Sequence, residues 1–339
     1  MTCDTPTKAA AYFHLENGGA RCELCPNSCL IPPGQTGLCR VRQYQEGYGL
    51  VTTSYGNVSA IALDPIEKKP LYHFYPGTNI LSLGTFGCNL RCRFCQNWHI
   101  SQSTKAADTI TPQAVVQMAK EYKAANCIGV AFTYNEPTIW YEFIWDTAKA
   151  VHAADLKNVL VTNGFISSGP WQELLPMIDA VNIDVKAWSE EFYRELCGGS
   201  LQPVLDNAQT AADYCHVELT YLIIPGHNDD LASLEGFARW VRQWLGAGTP
   251  IHFSRYFPNY QLDIPPTPIG IMEKAQRIAS EWLDYVYLGN VEIAGASHTY
   301  CPFCQALVIE RSRSAAPRIY ATQGHCPDCG MKLPLIIGT

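Results

Sequence analysis

The sequence is organised around the stretch Gly87–Trp98, GCNLRCRFCQNW, which directly follows the apolar segment 80–86. Its three cysteines, Cys88, Cys92 and Cys95, have the spacing C-x3-C-x2-C. Thiolates are the soft ligands that iron–sulfur clusters select, and three so close together can bind three corners of a cubic cluster. The sequence nearby offers no fourth thiolate. The stretch therefore predicts a cluster with one open iron, which can bind a small molecule rather than only pass electrons.

Zinc binding and burial as plain structural thiols are the alternatives for these three cysteines. A structural zinc ion takes four protein ligands, and His99, the nearest further candidate, does not have the spacing of a zinc-finger ligand. A pure electron carrier would need a fourth thiolate, which the sequence around Cys95 does not provide. We therefore adopt the interpretation of an open cluster.

The same residues resemble the signature of the radical S-adenosylmethionine (SAM) enzymes, in which an aromatic residue, here Phe94, precedes the last cysteine. The resemblance implies that the three thiolates hold a 4Fe-4S cluster, whose fourth iron chelates SAM, with Phe94 near the adenine. Gln96 and Asn97 are similar to the continuation in pyruvate formate-lyase activating enzymes. The implied reaction is reductive cleavage of SAM to a 5′-deoxyadenosyl radical, which abstracts hydrogen from a substrate. The implied reductant is a protein such as flavodoxin or ferredoxin.

The composition limits the classes of protein to which the chain can belong. It has 339 residues, of which 47% are hydrophobic, enough for one large domain with small appendages. The net charge of −7 argues against a nucleic-acid partner or an anionic membrane surface, because both require clustered Lys and Arg. The sequence has no run of about 18 apolar residues, and residues 1–6 lack an apolar signal core. We therefore expect a cytoplasmic protein without a nucleic-acid or membrane role.

Most of the fifteen cysteines fall in three clusters of four, three and four, as is typical of metal sites rather than disulfides. The first cluster comprises Cys22, Cys25, Cys29 and Cys39, around the turn-rich segment 32–37. Four thiolates can close a tetrahedral zinc site. Ligation by four cysteines also suits an auxiliary iron–sulfur cluster. Zinc is favoured on physical grounds, and the iron–sulfur cluster is the alternative.

The last cluster consists of two C-x2-C pairs, Cys301, Cys304, Cys326 and Cys329. The pairs are separated by twenty-one residues, and this spacing predicts a zinc ribbon whose stability depends on the metal. Arg311, Arg313 and Arg318 give the ribbon a local positive charge that would suit docking. A purely structural cap is the alternative.

Between residues 80 and 291, strand-like apolar runs alternate with amphipathic segments of helix length. The strand-like runs are 80–86, 128–134, 158–162, 180–185, 217–224 and 250–253, with 285–288 as a possible seventh. The helical patterns are 111–124, 139–153, 171–177, 202–214, 231–245 and 268–283. Such alternation indicates a parallel sheet. We predict an α/β fold: a partial (β/α)6 barrel of the radical SAM type at 56–295, with an N-terminal Cys-rich module at 1–55 and a C-terminal zinc ribbon at 296–339.

In such a fold the active site lies at the carboxyl ends of the strands, and polar residues follow the strands there. The candidates for contact with SAM are Tyr134, Asn135, Glu136, Thr162, Asn163, Asp184, Lys186 and His252. The carboxylate of Glu136 can accept bonds from the amino group of SAM, and Lys186 supplies a positive charge for a substrate carboxylate. Tyr134 is expected near the adenine or methionine end. Ordinary turn residues or ion-pair groups remain the alternative for Asn135, Asn163 and Asp184.

The resemblance sharpens the same positions. The segments 162–165, 184–186 and 224–226 are similar to strand ends that bind SAM, and in part a monovalent cation, in glycyl-radical activating enzymes. Val161 stands where that branch often has an aspartate, so the cation site is in doubt. The segment Tyr134–Pro137 replaces its Gly-Gly-Glu, and with residues 22–26 it resembles the AmmeMemoRadiSam-system radical SAM enzymes. That resemblance covers 22–260 and implies Memo-like and Ammecr-like protein partners.

Four further residues have weaker signals. Lys68, Lys69 and His73 are interpreted as solvated turn residues, although they can reach an active site. Cys197 precedes Gly198 and is interpreted as a small packed residue, with hydrogen-atom donation or substrate binding as the alternative.

We therefore predict an enzyme that reductively cleaves SAM and abstracts hydrogen from a protein, peptide or small-molecule substrate. A glycyl-radical-enzyme activase is one alternative. A non-catalytic metal-binding interaction protein is another, and it would bind no SAM.

Overall fold

The computed structural model describes residues 8–104, 108–312 and 315–338. Arg313 of the predicted ribbon lies outside this range. The strands are β1 Lys8–Ala9, β2 Phe13–Glu16, β3 Gly19–Cys22, β4 Leu30–Ile31, β5 Arg42–Gln45, β6 Gly49–Thr52, β7 Asn57–Val58, β8 Ala60–Pro65, β9 Asn79–Gly84, β10 Asp108–Thr109, β11 Cys127–Phe132, β12 Lys157–Thr162, β13 Ala180–Asp184, β14 His216–Ile223, β15 Ile251–Arg255, β16 Val286–Gly289, β17 Thr299–Tyr300, β18 Leu307–Glu310 and β19 Arg318–Ile319. The helices are α1 Trp98–Ser101, α2 Pro112–Glu121, α3 Tyr141–His152, α4 Ser168–Leu174, α5 Glu190–Phe192, α6 Gln202–Ala212, α7 Leu231–Trp244 and α8 Ile269–Ala279.

The central element is an eight-stranded sheet with the order β16-β15-β14-β13-β12-β11-β9-β8. Seven of its strands run parallel in the order of the chain, and β8 joins the edge antiparallel to β9. The prediction of a mostly parallel α/β sheet is confirmed, including the possible seventh strand, which is β16. In the described part of the chain the edge strands β8 and β16 do not pair with each other. The sheet is therefore open, and the partial barrel and the domain limits stay predictions.

The helices lie in the connections between parallel strands and bury their apolar faces, as a βαβ arrangement requires. Helix α2 begins where the sequence predicts, because Thr111 caps it by accepting a bond from the backbone N–H of Ala114 at 3.2 Å. Pro112 occupies its first position, where a missing N–H costs nothing. The six helical patterns of the sequence correspond to α2, α3, α4, α6, α7 and α8.

The N-terminal cysteine-rich segment forms two small antiparallel sheets, β1-β6-β5 and β2-β3-β4. A buried ion pair joins it to α3, where Arg42 Nη2 lies 2.7 Å from Glu142 Oε1. The same oxygen accepts a bond from the backbone N–H of Ala11, and Arg42 Nη1 donates to the Ala11 carbonyl at 2.7 Å. One buried guanidinium therefore ties this segment together and to the central sheet.

Replacement of Arg42 by methionine is expected to destabilise the protein strongly. Removing one partner of a buried ion pair leaves the other charge unpaired and costs about 3–5 kcal/mol. The matched control is Arg194→Met, whose pair with Glu195 is exposed and contributes little. Thermal unfolding of the two variants beside the wild type measures the difference, and equal midpoints for R42M and R194M would contradict this role.

The described residues after 295, here called the C-terminal unit (296–312 and 315–338), pack against the segment that leads from β8 to β9. Arg311 donates through Nη2 to the Tyr72 carbonyl at 2.6 Å, and the Pro334 carbonyl lies 3.0 Å from His73 Nδ1. Phe74 forms a parallel bridge with Ile336. His73 is therefore a buried contact between units, not the solvated turn residue that the sequence suggested. Burial lowers its pKa to about 3, so the ring is neutral.

Arg311, Ser312 and residues 315–317 also lie beside both edges of the open sheet. They line a cavity of about 490 Å³ together with Pro65 of β8 and with Leu288 and Gly289 of β16. The C-terminal unit and both edge strands of the open sheet therefore line the same cavity.

Candidate active site

A cavity of about 340 Å³ lies at the carboxyl ends of the parallel strands, within the range of ligand pockets. It is lined by all three cysteines of the central stretch and by polar residues from five strand ends. The predicted site residues that line it are Cys88, Cys92, Phe94, Cys95, Tyr134, Asn135, Glu136, Thr162, Asn163, Asp184 and Lys186. The larger cavity beside the sheet edges contains no thiol. Chemistry rather than volume therefore singles out this site.

The cysteine loop follows β9 and is held by the backbone of a neighbouring turn. The backbone N–H of Arg91 donates to the Cys197 carbonyl at 2.7 Å, and that of Arg93 donates to the Leu196 carbonyl at 2.9 Å. Residues Tyr193–Cys197 form a π-helical turn, a local irregularity often found at functional sites. It ends at Gly198, which has a φ of +72°. This turn brings a fourth cysteine, Cys197, to the central loop, which the sequence spacing did not reveal.

The three loop thiols differ in their tendency to ionise. The pKa of Cys92 is lowered, chiefly by its interaction with the Cys197 thiol and also by the positive charge of Lys186. Burial raises the pKa of Cys88 well above its usual value, and it also raises that of Cys95. Because thiolates rather than thiols bind iron, Cys92 is the ligand that the protein itself best prepares for binding.

Lys186 is the charged group placed to balance these thiolates. Its Nζ donates to Asp184 Oδ2 at 2.7 Å at the end of β13. Burial alone would lower the pKa of Lys186, but the charges of Asp184 and Cys92 raise it above its usual value. Lys186 is therefore a permanent cation at the wall of the cavity.

Glu136 is buried at the end of β11 and already accepts bonds from four donors. Its Oε1 accepts from the Thr138 N–H, the Thr138 hydroxyl and the Thr162 hydroxyl, and its Oε2 accepts from the Asn163 N–H at 2.7 Å. Each carboxylate oxygen has two lone pairs, so these bonds saturate Oε1 and leave one acceptor site on Oε2. The structure thus gives Glu136 the role of joining the ends of β11 and β12, and leaves only Oε2 for a further donor.

The two asparagines predicted at strand ends brace the cysteine loop. Asn135 accepts from the Thr85 N–H at 3.0 Å and donates to the Gly87 carbonyl at 2.9 Å. Asn163 Nδ2 donates to Asn89 Oδ1 at 2.9 Å and lies 3.8 Å from the sulfur of Cys88. They are turn residues, and they also fix the position of the loop.

Lys69 lines the cavity, which is the alternative that the sequence analysis gave to a solvated turn residue. It is buried, its Nζ donates to Asp64 at 2.9 Å, and it stands over the ring of Tyr134. The Tyr134 hydroxyl donates to the same carboxylate at 2.7 Å. Burial raises the pKa of Asp64, but the bonds from Lys69 and Tyr134 outweigh it and lower that pKa to about 2. The interpretation of Lys69 as a solvated turn residue was wrong, because Lys69 is buried and donates to Asp64, five residues earlier in the sequence.

His252 is the one predicted SAM contact that does not line the cavity. Its Nε2 bonds to Glu218 Oε2 at 2.6 Å, and its ring stacks on Tyr287. It pairs in register with Thr220, which does reach the cavity. The side chain is directed by Glu218 towards the amino ends of the strands instead. Ser254, two residues further along β15, takes the position at the cavity.

Phe94 is buried beside Cys95, and its ring lies 5.7 Å from that of Phe192. It lines the cavity, as expected of a residue that contacts an apolar or aromatic part of a ligand. Thr220, Ser254 and Ser101 also line the cavity and were not predicted. Thr220 and Ser254 are small polar residues near the carboxyl ends of β14 and β15, which is the signal that would have found them.

The three cysteine clusters differ in how closely their sulfur atoms approach. In the last cluster the Cys301–Cys329 and Cys304–Cys326 sulfur distances are 3.7 and 3.6 Å. Among the described residues this is the group whose ligand atoms all lie within 4.8 Å of one another. In the described part of the chain, the first cluster does not meet this limit. Burial raises the pKa of Cys25 to about 12, and the charges of Cys39, Cys22 and Cys29 contribute to that rise.

The donor set at the cavity fits an iron–sulfur cluster with one open corner. Three thiols from one short loop line a cavity, and Lys186 balances the charge of their thiolates. In the described part of the chain, their sulfur atoms do not all lie within 4.8 Å of one another, as the ligands of a single zinc ion would. Cys88 Sγ also accepts from the Leu90 N–H at 3.4 Å, and hydrogen bonds to sulfur tune the potential of such clusters.

Comparison with known proteins agrees with this geometry. Residues 82–239 match the family model of the Radical SAM superfamily. The chain is 42% identical over 338 residues to the uncharacterized protein MJ0808 of Methanocaldococcus jannaschii, covering 97% of this chain and 99% of that protein. It is 27% identical over 162 residues to the pyruvate formate-lyase 1-activating enzyme of Escherichia coli K12, covering 46% of this chain and 65% of that enzyme.

The fold is also shared with a solved structure of remote sequence. Streptococcus suis SuiB, crystallised with the precursor peptide SuiA, superposes with a TM-score of 0.53 at 10% identity, over 67% of this chain and 52% of that chain. At this identity the likeness shows the fold alone.

The fold, the three-thiol loop and the family match define a radical SAM enzyme with homology to pyruvate formate-lyase activating enzymes. Within that superfamily the chain belongs to the same family as MJ0808. Cys88, Cys92 and Cys95 would hold the 4Fe-4S cluster of this class, which would supply the electron for reductive cleavage of SAM and hence for hydrogen abstraction. The predictions of enzyme class, reaction type and use of SAM are confirmed. Within the described residues, no helix is long and apolar enough to cross a membrane.

Proposed function

We propose that SAM lies in the cavity between the cysteine loop and the strand ends, with its carboxylate near Lys186 and its adenine near Phe94. The observation that carries this proposal is the joint lining of one cavity by the three thiols, the buried cation and the apolar ring. The hydrogen bonds of Glu136, Thr162 and Asn163 hold the strand ends together, and in this proposal these three residues are not the main hydrogen-bonding partners of SAM. Tyr134 and Asp184 complete the wall.

The amino group of SAM needs an acceptor, and the four donors on Glu136 make that residue a poor one. Asp184 is the better candidate. Its carboxylate is partly exposed, lines the cavity and has one side-chain partner, Lys186, at 2.7 Å. A neighbouring carboxylate and ammonium suit the oppositely charged ends of an amino acid.

The substrate that we favour is a protein or peptide rather than a small molecule. Exposed aromatic residues lie beside the cysteine loop: Trp98 stacks on Tyr260 with ring centroids 5.3 Å apart, and the two side chains are 44% and 39% exposed. The loop that carries Tyr260 is joined to the cysteine loop by the bond from the Gln261 N–H to the Arg93 carbonyl. Exposed aromatic side chains are enriched where proteins bind partners. The homology to an enzyme that activates pyruvate formate-lyase supports the same choice.

A small-molecule substrate is the second candidate. The cavity of about 340 Å³ is near the lower end for ligand pockets, so SAM would fill much of it and leave little enclosed space for another molecule. That observation favours a substrate presented at the mouth.

Four finer assignments belong to the same proposal. The AmmeMemoRadiSam-system resemblance suggests Memo-like and Ammecr-like proteins as partners. A cytoplasmic location is the expectation from the sequence. Flavodoxin or ferredoxin would deliver the electron. The compact sulfur atoms of Cys301, Cys304, Cys326 and Cys329 suit one zinc ion, because four sulfurs at 2.3 Å from zinc stand about 3.8 Å apart.

The proposal is tested by anaerobic reconstitution with iron and sulfide, reduction and chromatographic assay of 5′-deoxyadenosine. We expect slow SAM cleavage by the protein alone and at least a several-fold increase when a purified candidate partner protein is added. Cleavage that responds only to small molecules would contradict a protein substrate, and no cleavage at all would contradict the assignment of SAM to this cavity.

Replacement of Lys186 by methionine is expected to weaken SAM binding. A hydrogen bond to a charged group contributes about 1.5–3 kcal/mol, so KM for SAM should rise about 10- to 150-fold. Lys149→Met is the matched control, because Lys149 is exposed on α3 and stands over the ring of Trp145 outside the cavity. Steady-state assays with iron content measured in parallel give the result. An unchanged KM in a fully loaded K186M variant would remove Lys186 from the SAM site.

A further inference from the structure

The N-terminal cysteines form a second site whose metal neither the family match nor the homologues assign. Cys22 ends β3, Cys25 and Cys29 lie in the turn before β4, and Cys39 precedes β5. The turn is closed by the bond from the Cys22 N–H to the Cys29 carbonyl at 2.9 Å. All four belong to the described residues and none is in a disulfide.

The spacing of these four sulfurs separates the two metals that could bind them. A tetrahedral zinc ion holds its four sulfurs about 3.8 Å apart. The C-terminal cluster has that spacing, with 3.6 and 3.7 Å, and all its sulfurs lie within 4.8 Å. In the described part of the chain, no three sulfurs of the N-terminal cluster meet the same limit, and neither do Cys88, Cys92 and Cys95. The N-terminal site and the central loop therefore both lack the compact spacing of the C-terminal cluster.

We propose that Cys22, Cys25, Cys29 and Cys39 hold a second iron–sulfur cluster rather than the zinc ion that the sequence favoured. In a cubic cluster each cysteine binds a different iron, so its sulfurs stand farther apart than around one ion. The surroundings suit a cluster shielded from water, because Leu24, Ile31 and Val41 are buried around it. A dry apolar shell is one of the features that set the potential of such sites.

The second site is in direct contact with the first on two sides of Cys88. Asn27, two residues after Cys25, donates to the Asn89 carbonyl at 2.7 Å. On the other side the Cys39 carbonyl packs against Gly87 so closely that a Cβ there would meet it at 2.3 Å. Gly87 also has a φ of +83°, so any other residue would be both strained and obstructed. The N-terminal segment therefore contacts Gly87 and Asn89, the two residues that flank Cys88 in the sequence.

This contact places the second cluster to pass one electron to the first. A one-electron donor of the flavodoxin or ferredoxin class loses one electron, the N-terminal cluster gains and then loses it, and the central cluster gains it for the cleavage of SAM. This step rests on the proposed function of the central site, whereas the presence of the second cluster does not.

The test of the metal uses the full chain after anaerobic reconstitution, with iron and zinc counted and dithionite-reduced samples measured by electron paramagnetic resonance. We expect about eight irons and one zinc in the wild type. The variant with C88A, C92A and C95A together should keep about four irons and a resonance that SAM does not change. The matched variant C25A/C29A should keep about four irons and a resonance that SAM does change.

A wild type with about four irons and two zincs, and no iron in the triple variant, would overturn the second cluster. Because the triple variant retains the N-terminal site, the result does not depend on C25A/C29A being able to fold. Loss of SAM cleavage in the wild type with iron retained in the triple variant would contradict the proposed function alone.

The electron path is tested by changing the donor. Relative to the wild type, the rate at which C25A/C29A forms 5′-deoxyadenosine should fall at least about tenfold further with reduced flavodoxin than with dithionite, because this small reductant reaches the central cluster directly. Equal losses with both donors would show that the N-terminal cluster only supports the loop and would overturn its role in electron transfer.

Discussion

Replacement of Cys92 by alanine should reduce formation of 5′-deoxyadenosine to below about 1% of the wild-type rate. Changes outside the ligand shell of a metal site already cost about 10- to 100-fold, and loss of a ligand costs more. Of the three cysteines, Cys92 is the best suited to this test, because its pKa is lowered by Cys197 and Lys186 while that of Cys88 is raised. The variant should also lose the iron of the central site.

The matched control for this variant is Cys215→Ala. Cys215 is half-buried, lies outside the cavity and has its sulfur 3.6 Å from the Ala211 carbonyl. It undergoes the same chemical change without touching the cluster loop, so its rate and iron content should match the wild type. Retained cleavage in C92A, or equal losses in C92A and C215A, would mean that the three-thiol loop does not hold the reacting cluster.

Removal of the metal from the C-terminal unit should unfold that unit while the central sheet stays intact. Its own core is small, with Cys301, Cys326, Val308, Ile309 and Leu333 as its buried residues. Two of these five are proposed ligands, so little apolar burial remains without the metal. In zinc-finger peptides the apparent free energy of zinc binding is about 10–16 kcal/mol at pH 7, and that free energy is folding free energy.

Hydrogen exchange detected by mass spectrometry can locate this effect. In Cys326→Ala we expect loss of one zinc and complete loss of protection in β17 and β18, with protection of β11 to β14 unchanged. Cys215→Ala again serves as the control and should keep both. Unchanged exchange in β18 after the loss of zinc would show that packing against the segment that carries Tyr72 and His73, rather than the metal, holds the unit.

The order of the central strands and the location of the site could be predicted from local pattern. Apolar runs alternating with helices indicate parallel strands, and parallel strands place their carboxyl ends at one edge, so Thr162, Asp184 and Lys186 converge without further information. The three thiols of the loop needed only their spacing.

Features that depend on how the folded chain brings partners together could not be predicted in this way. Lys69 is buried because Asp64, five residues earlier, and Tyr134, after β11, surround its charge, and the local sequence does not show that the three meet. His252 was assigned to the correct strand, but its partner Glu218 on β14 turns it away from the cavity. The metal of the first cysteine cluster depends on distances between sulfur atoms, which spacing along the chain does not fix.

The position of the C-terminal unit beside both sheet edges has a consequence for how the chain is made. During synthesis β8 and β16 leave the ribosome before Arg311, Ser312 and residues 315–317, which lie beside them in the folded protein. In that interval two strand edges of the described sheet are unpaired, and unpaired edges are templates for association with other chains. If the last four cysteines bind zinc as proposed, we expect the supply of zinc to shorten the time during which the newly made chain is prone to aggregate. Yield on overexpression should accordingly depend on zinc as well as on iron.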